Sequence, residues 1–154
     1  RSEFDFLDEA RSRTDVVIGD GRLTLQDVPR HSYDVLVIDA FTSDSIPVHL
    51  LTREAFVLYD EVLARDGVLL LHISNRYLDL RPVVAAGTDA IGLDARVGED
   101  NGDMTDNRAA SVWMAATRSR DALRELDETR WSTPPPTRIA WTDDSSNLVQ
   151  VFAR

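Results

Sequence analysis

The run Tyr33-Asp34-Val35-Leu36-Val37-Ile38-Asp39 constrains the fold more than any other part of the chain. An unbroken apolar stretch, Val35 to Ile38, ends in a carboxylate and then breaks into a polar loop, Ala40-Phe41-Thr42-Ser43-Asp44-Ser45-Ile46-Pro47. A segment apolar on both faces suits a strand buried in the middle of a parallel sheet. In open α/β sheets, ligands bind just beyond the carboxyl ends of such strands. Asp39 and Asp44 therefore stand where a fold of this kind does its chemistry.

The segments around that strand alternate. Asp15-Val16-Val17-Ile18 reads as a short strand that stops at Gly19-Asp20-Gly21, a turn signal. Leu23, Leu25 and Val28 suggest a short helix before Pro29. Thr52 to Arg65 reads as the clearest helix. Thr52 is a plausible N-cap, Glu54 lies in the first turn, and Ala55, Phe56, Tyr59, Val62 and Leu63 share one face. Gly67 suits the C-terminal stop. Val68 to Ile73 is a further apolar strand, and Leu80 to Ile91 a helix that tolerates Pro82 near its start. Ala95-Arg96-Val97 and Val112-Trp113-Met114-Ala115 read as strands around the polar loop Gly98 to Arg108, and Ala122 to Leu126 as helical. Pro134-Pro135-Pro136 is a rigid connector and Leu148 to Phe152 a terminal strand. The alternation predicts an α/β fold with a mostly parallel sheet, closed on its carboxyl side by an antiparallel edge.

Composition narrows the functions. A chain of 154 residues, 43% hydrophobic, can bury a sizeable single core. No apolar run approaches the roughly 20 residues that cross a membrane. The absence of cysteine excludes disulfides, thiolate metal sites and cysteine nucleophiles. The formal net charge of −10, with 17 basic residues scattered singly, argues against nucleic acid. It is compatible with a cationic small molecule, or with solubility alone.

The blocks Val17-Ile18-Gly19-Asp20-Gly21-Arg22, Tyr33 to Asp39, Leu51-Thr52-Arg53-Glu54-Ala55-Phe56 and Asp66-Gly67-Val68-Leu69 resemble the spermidine synthase family of aminopropyltransferases. Ser74-Asn75-Arg76-Tyr77-Leu78-Asp79-Leu80 and Trp141-Thr142-Asp143-Asp144 are similar to a bacterial branch in which this domain often follows a polytopic membrane domain. The resemblance implies a Rossmann-like, class I methyltransferase-type fold. It also implies transfer of an aminopropyl group from decarboxylated S-adenosylmethionine, a co-substrate, to a diamine, with no permanently bound cofactor and no metal. On this resemblance Asp20 matches the acidic residue that contacts the adenine, Gly21 follows it in the pocket, and Pro47 lines the nucleoside site. Asp39 matches the aspartate that accepts the amine proton. Asp44 is the counterpart of a diamine-binding aspartate, and His72 takes the place of a substrate-contacting glutamine. A cytoplasmic location is implied, either free or as the cytoplasmic part of a membrane-anchored protein. A homo-oligomer is a further expectation.

The match departs from the family in two places. The family loop after the catalytic aspartate reads Asp-Ser-Ser/Thr-Asp-Pro, whereas Asp44 follows Asp39 at a longer spacing. The glycine-rich strand–turn–helix that opens the family fold has no counterpart, since nothing before Gly19-Asp20-Gly21 supplies it. Residues 1–154 therefore read as the carboxyl two-thirds of a catalytic domain, without its N-terminal strands, with an incomplete nucleotide site and inactive by itself.

The residues keep blander readings beside these. Asp20 can be a turn residue, Asp39 a loop cap, Asp44 a turn or helix residue and His72 a structural histidine. Asp143 and Asp144 either add charge to an amine pocket or form a turn. Glu99, Asp100, Asp103 and Asp106 lack EF-hand spacing and read as a solvated acidic loop rather than a calcium site. Two other functions stay open: an S-adenosylmethionine-dependent methyltransferase of the same fold, and a non-catalytic nucleoside-binding or interaction module.

Overall fold

The computed structural model describes residues 12–40, 47–103, 105, 107–126, 128–137 and 139–152. Helix α1 (Gly21–Gln26) leads into strand β1 (Tyr33–Ile38). A 3₁₀ turn (Val48–Leu50) then precedes helix α2 (Arg53–Val62), which runs directly into β2 (Leu63–His72). Helix α3 (Arg81–Ala90), strands β3 (Asp94–Asp100) and β4 (Ser111–Thr117), helix α4 (Arg120–Arg124) and a short β5 (Trp131–Ser132) follow. The strands form one mixed sheet in the order β1-β2-β4-β3-β5. β1 and β2 run parallel, with Val35 opposite Val68 and Ile38 opposite Leu71. The remaining pairings, β2–β4, β4–β3 and β3–β5, are antiparallel, so the sheet is mixed rather than mostly parallel and the expected antiparallel edge takes in three of its five strands.

Helix α2 owes its start and its stop to identifiable groups. The Thr52 hydroxyl accepts the Ala55 N–H at 3.4 Å, and Glu54 sits in the first turn where the helix dipole favours it. At the other end His31 and Ser32 donate their N–H groups to the carbonyls of Glu61 and Val62, at 2.9 and 2.8 Å. Those carbonyls would otherwise be orphaned, and their capture ends the helix at Val62 rather than at Arg65. Gly67 falls inside β2 instead of closing the helix. A Cβ there would lie 2.9 Å from the Tyr33 carbonyl oxygen, so glycine is what lets β1 come this close.

The core lies on the face of the sheet that α2 and α3 cover. Ala55, Phe56, Tyr59 and Val62 of α2 meet Leu69 and Leu71 of β2 and Val83 and Val84 of α3, all buried. Phe56 and Tyr59 pack edge to face with ring centroids 5.7 Å apart. Burial pushes the Tyr59 phenol well above its usual range, and its hydroxyl donates to the Leu50 carbonyl at 3.0 Å. Trp141 completes the core and holds α2 through its carbonyl, which accepts from Arg53 N–H at 2.8 Å.

Two expected strands are absent among the described residues. Residues 15–18 form no strand and no ladder with any described residue, and Val16, Val17 and Ile18 are exposed. A strand exists through its ladder, and no described backbone stands beside this one to supply it. Leu148–Val151 forms a 3₁₀ turn instead of a terminal strand. The Asn147 side chain accepts the Val149 N–H at 3.0 Å, a local bond that competes with ladder formation. Only Val151 is buried there, and a single bridge joins Phe152 to Leu78.

Candidate functional site at the carboxyl ends of β1 and β2

The register of the parallel pair builds the site. Ile38 lies opposite Leu71, so the next residues, Asp39 and His72, emerge side by side. His72 Nδ1 and Asp39 Oδ1 are 2.7 Å apart, with the carboxylate about half exposed and the imidazole mostly covered. The other ring nitrogen, Nε2, lies 2.7 Å from the Ser74 hydroxyl. Ser74 Oγ in turn accepts the Val112 N–H at 2.8 Å. On the antiparallel side His72 faces Trp113 of β4, and the two rings stack at 4.7 Å with planes 20° apart.

A cleft of about 280 Å³ opens between this strand end and the start of α1. Gly19, Gly21, Leu25, Ile38, Asp39 and Tyr59 are among its walls. Its size is near the lower end for small-molecule sites, which combine apolar walls with a few polar groups. Here the apolar walls come from α1, β1 and α2, and Asp39 supplies the charge.

Of the residues singled out in the sequence, Gly21 and Asp39 meet in this cleft, and His72 adjoins it through Asp39. Asp20 is the N-cap of α1. Its Oδ1 accepts the N–H groups of Arg22 and Leu23 at 2.9 and 3.0 Å, and the Leu23 bond leads in holding its carboxyl below the ordinary value. Its other oxygen is 3.5 Å from His49 Nε2. Pro47 caps the 3₁₀ turn that brings Leu50 to the cleft. Asp44 lies outside the described residues.

Several contacts have no signal in the sequence. Asp143 receives a bidentate pair from Arg22, both bonds 2.7 Å, and the Thr52 hydroxyl at 2.7 Å. The Arg22 guanidinium is the leading reason that its carboxyl falls to about 2. Thr142 and Ser145 exchange backbone bonds around it, so Asp143 and Asp144 form the turn that the sequence left as one of two readings. Trp113 as a partner of His72 was equally hidden, because it depends on which strand lies beside β2, whereas Ser74 is only two residues further along the same segment. In the acidic loop Glu99 pairs with Arg81 at 2.7 Å, and Asp100 with Arg130 at 3.0 Å. Asp103 accepts from Thr105, and Asp106 lies outside the described residues.

No family profile and no curated protein matches the chain. Solved structures do. A probable spermidine synthase from Corynebacterium glutamicum ATCC 13032 superposes with a TM-score of 0.51 at 20% identity, over 70% of this chain and 42% of that one. The spermidine synthase from Thermotoga maritima gives a TM-score of 0.55 at 18% identity, over 97% of this chain and 50% of that one. A spermidine synthase in complex with the transition-state analogue AdoDATO gives 0.57 at 20% identity, over 80% of this chain and 43% of that one. The chain thus spans half or less of the length of these proteins. At such identities the likeness is one of fold, and the fold of this chain is that of the spermidine synthases.

Proposed function

We propose that this chain is the part of an aminopropyltransferase that carries the proton-accepting carboxylate, Asp39. The observation that supports this most is the position of Asp39 directly beyond β1, on the wall of a largely apolar cleft, in a fold shared with spermidine synthases. One of those proteins binds a transition-state analogue, AdoDATO, in keeping with a decarboxylated S-adenosylmethionine co-substrate.

In the reaction the lone pair of a primary amine attacks the carbon next to the sulfonium. The carbon–nitrogen bond forms as the carbon–sulfur bond breaks, and its electron pair goes to sulfur, leaving neutral methylthioadenosine. The amine proton passes to the Asp39 carboxylate. A carboxylate can hold an ammonium, orient it and take its proton in one place. Sulfonium is already a good leaving group, so the demands on the protein are orientation and a base. The cleft wall is open at Gly21, where a Cβ would meet nothing within 4 Å, and the nucleoside is assigned to that side with Asp20 and Pro47 nearby. Asp44 is assigned to the far ammonium of a diamine.

Product identity tests the proposal. The natural polypeptide containing this chain is expected to release methylthioadenosine from decarboxylated S-adenosylmethionine with at least one member of a diamine panel. Release of S-adenosylhomocysteine from S-adenosylmethionine instead would make it a methyltransferase. Binding of neither nucleoside would make it a non-catalytic module.

A further inference from the structure

His72 stands where the spermidine synthase resemblance implies a glutamine, and both of its ring nitrogens are engaged. The hydrogen directions follow from the partners. A carboxylate only accepts, so the hydrogen between His72 and Asp39 sits on Nδ1. The Val112 N–H only donates, and Ser74 Oγ accepts it. In the neutral ring Nε2 holds a lone pair, and the Ser74 hydroxyl, 2.7 Å away, is the donor placed to fill it. One continuous direction results: Val112 N–H to Ser74, Ser74 O–H to His72, His72 Nδ1–H to Asp39. The stacked Trp113 fixes the plane of the imidazole.

We infer that His72, braced by Ser74 and Trp113, is a positioning residue that occupies Asp39 Oδ1 and thereby makes Oδ2 the oxygen that takes the amine proton. The chemistry of this step rests on the aminopropyl-transfer reading, whereas the hydrogen-bond geometry does not. When the carbon–nitrogen bond forms and the carbon–sulfur bond breaks, the ammonium proton moves to Oδ2. His72 keeps its Nδ1 hydrogen throughout and donates to Oδ1 both before and after, when Oδ1 has become the carbonyl oxygen of a neutral acid. An imidazole suits this task because its two nitrogens point away from each other. One side grips the carboxylate while the far side is anchored to the β4 backbone through Ser74.

Two measurements test it. Nitrogen-15 ring spectra of the neutral imidazole of His72 are expected to show the hydrogen on Nδ1. In Asp39→Ala it should move to Nε2, where Ser74 Oγ can accept it. An Nε2–H ring in the unchanged protein overturns the inference. This arm needs no substrate, so it decides the positioning of Asp39 even if no methylthioadenosine is ever released. In the transferase assay His72→Ala should lower kcat by about 10–100-fold, the size of loss that follows when the hydrogen-bond partner orienting a metal ligand is removed. Nucleoside KM should stay within a few-fold, and added imidazole should restore part of kcat. A merely structural loss would not respond to imidazole. Unchanged kcat in His72→Ala, or a loss that imidazole leaves untouched, overturns the positioning role.

Discussion

Arg22 and Asp143 lie 121 positions apart in the chain, yet they form a bidentate charge pair, both bonds 2.7 Å. Arg22 is largely covered and also donates to the His49 carbonyl at 2.8 Å, so one guanidinium ties α1, the 3₁₀ turn and the Trp141–Asp144 turn together. Water reaches the Asp143 side of the pair, which limits such pairs to about 1 kcal/mol, so Arg22→Leu should destabilise the fold by about that amount at neutral pH. The pH dependence has a definite sign. The Asp143 carboxyl is depressed in the folded state to about 2 from an ordinary 3.8. Its contribution is therefore complete above the unfolded value and is lost as pH falls through the folded one. Denaturant titrations between neutral pH and pH 2 should show stability falling in that window, and a shallower fall in Arg22→Leu. Parallel acid limbs in the two proteins would count against the pair.

At the scale of elements, the α2–α3 contact depends on a missing side chain. A Cβ at Gly87 would lie 2.2 Å from the Phe56 ring, well inside contact distance. Gly87→Ala gains up to about 1 kcal/mol of helix propensity but must displace that ring, and overpacking a core costs about 1–3 kcal/mol. The net effect should be a loss that largely disappears in the double variant Gly87→Ala, Phe56→Leu, a coupling readable in a double-mutant cycle. Additive effects would mean that the ring gives way freely. Helix α2 itself was legible in the sequence because its cap, first-turn acid and apolar face are local. Its last turn was not, because His31 and Ser32 reach it from outside the segment. The β1–β2 pair was legible as two apolar runs, and α3 as a helix over nearly its full length. Val16–Ile18 and Leu148–Phe152 carry the same apolar signature, but strand formation needs a neighbour, and hydropathy does not report whether one is present.

For the whole molecule, parallel pairing between β1 and β2 turns two sequence-distant residues, Asp39 and His72, into one site. Asp39 could be picked out from the sequence because its signal is positional: a carboxylate at the end of a doubly apolar strand. Trp113 and the Val112 N–H that anchors Ser74 could not, because only the antiparallel return of β4 beside β2 brings them to His72 and Ser74. The central proposal is that Asp39 is the base, and the most direct measurement is turnover by Asp39→Asn in the natural polypeptide containing this chain. The change keeps the shape of the side chain while removing the negative charge and the basic oxygen. General base catalysis contributes about 10²–10⁴-fold, so methylthioadenosine release should fall by that order while calorimetric affinity for the nucleoside changes by no more than a few-fold. Turnover equal to that of the parent protein would contradict the assignment of Asp39 as the proton acceptor.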